Sequence, residues 1–157
     1  MNEIPKMICF DMDGTIAGLY NVRDWCIKIN TSDPSPYEEA PPMWDMTQLT
    51  PILEQLMEQN IEIRIITWLA KTGSKSYNEQ VRRVKKEWLI RQNFPYDHFH
   101  ALKYGTTKAD SVRKYLKENE TAWLVDDNKV VRAGWHLGKT IDPAYYNIIE
   151  ILKTLIR

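Results

Sequence analysis

Two carboxylates stand two residues apart in Asp11-Met12-Asp13-Gly14-Thr15, directly after the apolar run Met7-Ile8-Cys9-Phe10. That run reads as a buried strand, so both acids emerge where a core strand opens into a loop. Like charges that close are unfavourable unless a proton or a cation compensates them. A hard oxygen site of this kind suits Mg²⁺. Gly14 allows a sharp turn and a close approach of substrate to the backbone. A calcium loop of the D-x-D-x-D-G type does not fit. Thr15 holds its fifth position, Ile16 stands where Gly is needed, and Val22 where Glu is needed. A second acidic pair, Asp126-Asp127, follows the apolar Trp123-Leu124-Val125. Thr67 follows Ile65-Ile66, with Trp68 next to it. Lys108 begins a helix before the second acidic pair, and Lys103 is its rival at the end of a weaker strand.

The elements that position these residues alternate strand and helix. Strands are expected at 6–11, 62–67, 99–103 and 121–126, with a short fifth at 139–142. Leu49, Ile52, Leu53, Leu56 and Met57 form one helical stripe, with Thr50-Pro51 as its expected start and Asn60 as its terminator. Tyr77, Val81, Val84 and Trp88 form a second stripe, and Ala109, Val112 and Leu116 a third. Arg82, Arg83, Lys85, Lys86 and Arg91 on the second helix read as a solvated face. Asp142-Pro143 is expected to open the last helix, with Ile148, Ile149, Leu152, Leu155 and Ile156 on its buried side. Such alternation argues for an α/β fold: a parallel sheet with helices on both faces. In an open sheet of that kind, ligands bind beyond the carboxyl ends of the strands. Asp11, Thr67 and Asp126-Asp127 all fall there.

Residues 16–46 break the alternation. They hold Pro34, Pro36, Pro41, Pro42 and Gly18, together with Tyr20, Trp25, Tyr37 and Trp44. Roughly thirty residues are too few for an independent core and too many for an ordinary turn, and long ordered loops are often functional.

The four motifs, in order, resemble those of the haloacid dehalogenase (HAD) superfamily, whose first motif is D-x-D-G-T. The likeness covers nearly the whole chain and is to the small, capless phosphatases. It implies a three-layer Rossmann-like parallel sheet, one domain over 1–157, and a flap without a full cap domain. It implies Mg²⁺ as cofactor, Asp11 as nucleophile and Asp13 as general acid and base. The Thr67 hydroxyl would donate to a phosphoryl oxygen. The lysine at the third motif, best matched by Lys108, would neutralise phosphoryl charge. Asp11, the main-chain carbonyl of Asp13, and Asp127 would hold the metal, with Asp126 acting directly or through water. Gly14, Thr15 and Trp68 would touch substrate. One departure lies downstream: many relatives carry another acid four or five residues beyond the acidic pair, where this chain has Val131 and Arg132.

The bulk numbers fit such a hydrolase. A chain of 157 residues suits one compact domain. Lys+Arg and Asp+Glu are both 21, so bulk charge offers no case for a polyanionic partner. No apolar run approaches a membrane span, and Met1 to Lys6 lacks a signal-peptide pattern. Cys9 and Cys26 read as free thiols, which makes a reducing, cytoplasmic setting the expectation. His98, His100 and His136 show no ligand spacing. The expected activity is Mg²⁺-dependent hydrolysis of a phosphomonoester through an aspartyl-phosphate. The aromatic flap favours a nucleotide or another small ring-bearing substrate. The alternatives are a polynucleotide end, a phosphoprotein, or a weakly catalytic module that binds a phosphorylated ligand. The intact Asp11/Asp13 pair argues against the last, because a binder needs no second Asp.

Overall fold

A computed structural model describes residues 3–157. Five parallel strands form one sheet in the order β3-β2-β1-β4-β5. They are β1 (Met7–Phe10), β2 (Glu62–Trp68), β3 (His98–Leu102), β4 (Ala122–Val125) and β5 (Thr140–Ile141). All five expected strands form, most of them trimmed at the ends. The central strands are buried on both faces, as continuous apolar runs demand.

Side chains alternate between the faces with period two. Ile8, Phe10, Ile63, Ile65, Trp123 and Val125 share one core with α3 (Met46–Glu58) and α7 (Ile148–Lys153). Met7, Cys9, Ile66, Ala122 and Leu124 pack on the other side, against Ala109 and Val112 of α5 (Lys108–Val112) and against Trp135. The architecture is therefore three-layered. Wholly buried side chains such as Phe10 and Trp88 each supply about 1.5–3 kcal/mol or more of the burial that holds it.

Two helix starts differ from expectation. α3 begins at Met46, because Asp45 accepts from the Thr47 amide and caps it. Pro51 sits inside the helix, and the Thr50 hydroxyl donates to the Asn93 carbonyl instead of capping. α7 begins at Ile148 because Asn147 caps the amides of Ile149 and Glu150, whereas Asp142-Pro143 belongs to a turn. Asn60 does end α3, in the left-handed region at φ 65°.

The 16–46 segment is more ordered than a loop. It holds a 3₁₀ turn at Leu19–Asn21, α1 (Trp25–Asn30) and α2 (Ser35–Glu39). It is clamped to α4 (Lys75–Arg91) by three side chains that donate to its main-chain carbonyls. Tyr77 Oη reaches Asp33 O at 2.9 Å, Trp88 Nε1 reaches Ala40 O at 2.7 Å, and an Arg91 nitrogen reaches Glu38 O at 2.7 Å. Leu19 and Tyr37 pack with Tyr77, Val81 and Val84. The aromatic residues scattered through this stretch thus have divided tasks, and Tyr37 belongs to the packing.

Candidate active site

The sheet order places the site. β1 leads to β2 on one side, whereas β4 lies on its other side, so the connections diverge between β1 and β4. A crevice opens at such a switch point. Asp11 follows Phe10, and Asp126 follows its register partner Val125. The Asp11 amide donates to Val125 O at 3.0 Å, which fixes the two strand ends side by side.

Asp11, Asp126 and Asp127 each bring a carboxylate oxygen within 4.8 Å of the others. Hard, anionic oxygens in that arrangement could coordinate a divalent metal, and the donor set fits Mg²⁺. Lys108 ties two of the three, Asp11 and Asp126, together. Its ammonium lies 2.9 Å from Asp11 Oδ1 and 2.7 Å from Asp126 Oδ2 and is almost wholly buried. Lys103 is exposed at the end of β3. The position at the start of α5 therefore carries the lysine that reaches the acids.

Asp126 is fully buried, and its Oδ1 accepts from the Asn128 amide at 2.9 Å. Burial, and then the charge of Asp11, raise its pKa to about 6. The same causes raise that of half-buried Asp127 to about 7. Burial opposes the charge on Lys108, but Asp11 and Asp126 outweigh it and push its pKa up. Beyond the acidic pair, where the resemblance leads one to expect a further acid, this chain has Val131 and Arg132. Arg132 donates to Asp126 O at 2.9 Å and pairs with Asp142 at 3.1 Å.

Gly14 and Thr15 shape the turn that follows β1. The Gly14 amide donates to Ala17 O and the Thr15 amide to Met12 O, inside the turn. Gly14 has φ +79°, and a Cβ there would collide with Asp127 Oδ2 and come within 2.7 Å of the Tyr20 ring. The Thr15 hydroxyl bridges Asp11 Oδ2 at 3.1 Å and Asp127 Oδ1 at 3.2 Å. The Trp44 indole in turn donates to Thr15 O at 2.8 Å, so this aromatic also holds the turn in place.

Asp13 points elsewhere. Its carboxylate is apart from the metal-type trio and pairs with Lys85, Nζ to Oδ2 2.8 Å. Desolvation outweighs the lysine and raises the Asp13 pKa. Lys85 was expected on a solvated face. It is 1% exposed, while its neighbours Arg82, Arg83 and Lys86 are in solvent. Its helical spacing from Tyr77, Val81 and Trp88 is the signal that could have found it. Thr67 is wholly buried, and its Oγ1 accepts from Lys85 at 2.6 Å.

Asp11, Asp13, Lys108, Asp126, Asp127 and Trp68 line a cavity of about 380 Å³. Thr67, Gly14 and Thr15 stand behind its wall. Tyr20 and Trp25, in edge-to-face contact with centroids 4.9 Å apart, form the flap side. Trp68 and Tyr104, also 4.9 Å apart, form the opposite lip. The Trp68 indole is fixed by a 2.9 Å bond to Thr106 O.

No protein-family model matches the chain, and no curated protein matches it. Among solved structures it is similar to a chain of the Pnkp1/Rnl/Hen1 RNA repair complex. The TM-score is 0.58 and the identity 16%, over 88% of this chain and 42% of that one. At that identity the likeness speaks to the fold. It is a three-layer α/β fold, a parallel sheet with helices on both faces. The chain spans less than half the length of this structural relative. No helix among the described residues is long and apolar enough to cross a membrane.

Proposed function

We propose that this protein is a Mg²⁺-dependent phosphohydrolase that acts through an aspartyl-phosphate. The observation that carries the reading is Lys108, which binds Asp11 and Asp126 together in the wall of the cavity. An ammonium held between a nucleophile and a metal-type acid stabilises the charge that develops during phosphoryl transfer. The chain acts as one domain, with 16–46 as a flap and no separate cap.

In the first step Asp11 attacks phosphorus and the bond to the leaving oxygen breaks. Asp13 gives its proton to that oxygen. In the second step water attacks the phosphorus of the aspartyl-phosphate. Asp13 takes the water's proton, inorganic phosphate leaves and the Asp11 carboxylate is restored. Asp11, Asp127 and Asp126 would hold Mg²⁺ together with the Asp13 main-chain carbonyl. When bound, the ion neutralises charge on the transferring phosphoryl group. Lys108 holds phosphoryl oxygens, and Thr67 supports the site from behind the cavity wall.

The substrate is a small monophosphate that carries a ring. A cavity of about 380 Å³ between two aromatic pairs supports this, since it matches the lower range of small-molecule sites. A screen of phosphate release from nucleotides, sugar phosphates, phosphopeptides and 3′-phosphorylated oligonucleotides, with and without Mg²⁺, tests the reading. Mg²⁺-dependent release from nucleoside monophosphates is expected. Absence of release from every ester would overturn it.

A further inference from the structure

Lys85 is a buried ammonium that the reaction above does not use. An ammonium has three donors and no acceptor, and here each donor has its own partner. Nζ lies 2.6 Å from Thr67 Oγ1, 2.9 Å from Trp68 O and 2.8 Å from Asp13 Oδ2. Thr67 and Trp68 belong to β2, which is hydrogen-bonded on both sides by β1 and β3. The Tyr37 ring covers the ammonium at 4.9 Å, and Tyr37 is itself held between the flap and α4. Strand and flap thus fix the ammonium before Asp13 is considered, and its remaining donor is aimed at Asp13.

We propose that Lys85 is a positioning residue for proton transfer by Asp13. The inference rests on the phosphohydrolase reading and extends it. A donor-only partner at Oδ2 forces that oxygen to accept, so the transferable proton resides on Oδ1. The Asp13 carboxyl is thereby held in one orientation, with Oδ1 free to meet the leaving oxygen. As the P–O bond breaks, the proton passes from Oδ1 to the leaving group, and the carboxylate that results keeps Lys85 as its partner. In the second step Oδ1 receives the proton of the attacking water. Lys85 exchanges no proton in either step. Thr67 gains a role as the strand-borne anchor that holds the ammonium.

The rival explanation is a buried ion pair that only fastens α4 to β2. Leaving-group dependence separates the two. An alkyl phosphate needs its leaving oxygen protonated, whereas p-nitrophenolate leaves without help. Lys85→Met keeps an unbranched side chain one atom shorter and removes its donors. In single-turnover measurements at saturating Mg²⁺, the cleavage step with an alkyl phosphate should slow about 10²-fold or more, as loss of a placed acid does. Release of p-nitrophenol should slow less than tenfold, and KM should change little for either ester. On an Asp13→Asn background, Lys85→Met should cost nothing further, because it acts through that carboxyl. If Lys85→Met does not fold, Thr67→Val removes one anchor and should give the same asymmetry in smaller measure. Equal slowing of both esters, or losses that add to those of Asp13→Asn, would overturn the positioning role while leaving the hydrolase reading intact. A wild-type protein inert towards both esters would overturn the hydrolase reading and this role with it.

Discussion

Replacing Gly14 by alanine tests the geometry of the candidate metal site without touching an acid. Gly14 has φ +79°, in the left-handed region. An L residue there costs about 1–2 kcal/mol in backbone strain alone. For a domain of this size, that lowers the melting temperature by roughly 2–8 °C. The methyl group adds a second effect, because its position overlaps Asp127 Oδ2 and lies 3.0 Å from Asp127 Cγ. Asp127 must rotate away, which removes one of the trio that Asp11 and Asp126 complete. A site that loses one of its carboxylates should bind Mg²⁺ at least about tenfold more weakly, the size of effect that even an outer partner of a metal ligand carries. Gly105 supplies the control. It has φ +84°, yet a Cβ there meets nothing within 4 Å. Gly105→Ala therefore carries the strain without the collision. Both variants should melt lower than wild type. Gly14→Ala alone should lose Mg²⁺ affinity by titration calorimetry and turnover at fixed Mg²⁺. Equal Mg²⁺ affinity in the two variants would refute the placement of Asp127 against Gly14.

Four further outcomes follow from the site. Asp11→Asn should abolish turnover with the fold retained, since an amide is a poor nucleophile; wild-type-like phosphate release would refute the covalent route. Lys108→Ala should lower kcat about 10²-fold or more, because Lys108 contacts Asp11 and Asp126, whereas exposed Lys103→Ala should change it little. The reverse ranking in steady-state kinetics would reject Lys108. Without metal, the folded state raises Asp126 to about 6 and Asp127 to about 7, so between about pH 4 and 7 it binds more protons than the unfolded chain and its stability falls as pH rises. Mg²⁺ displaces those protons, so the melting gain on adding Mg²⁺ should be larger at pH 8 than at pH 5.5; equal gains would contradict the shared site. Trp25→Ala should cost about 1–3 kcal/mol in binding of a nucleotide and spare a small generic ester, while Trp44→Ala, which loses its bond to Thr15 O, should slow both and melt lower.

The layers were legible from periodicity. Runs such as Met7 to Phe10 and Trp123 to Val125 could be read as buried strands because apolar residues without polar interruption suit a doubly covered sheet. The acids that close those strands could be read as a site for the same reason, since their position follows from the strand and not from any distant contact. Helix starts were less legible. Asp45 and Asn147 outcompeted Pro51 and Asp142-Pro143 because a cap is decided by which side chain accepts from the first-turn amides. The hydrogen bonds of the Gly14 and Thr15 amides to Ala17 and Met12 could not be read, since local sequence does not tell where an amide finds its acceptor.

Lys85 shows where composition misleads. Arg82, Arg83, Lys85 and Lys86 look like one basic face, but at about 100° per residue they spread over an arc of about 160°, with Lys85 at the edge nearest the buried stripe. Lys85 lies on the side of Tyr77, Val81, Val84 and Trp88, which are all buried. An unpaired ammonium in that stripe would cost several kcal/mol. Its presence therefore demands a carboxylate from elsewhere in the chain. Asp13 meets that demand across 72 residues of sequence. The same helix face clamps the flap through Tyr77 and Trp88. One helix thus binds the flap that covers the cavity and the carboxylate assigned to proton transfer. Flap seating and Asp13 orientation share a single rigid support, so a variant that loosens α4 from the flap should blunt catalysis with poor leaving groups before it blunts nucleophilic attack by Asp11.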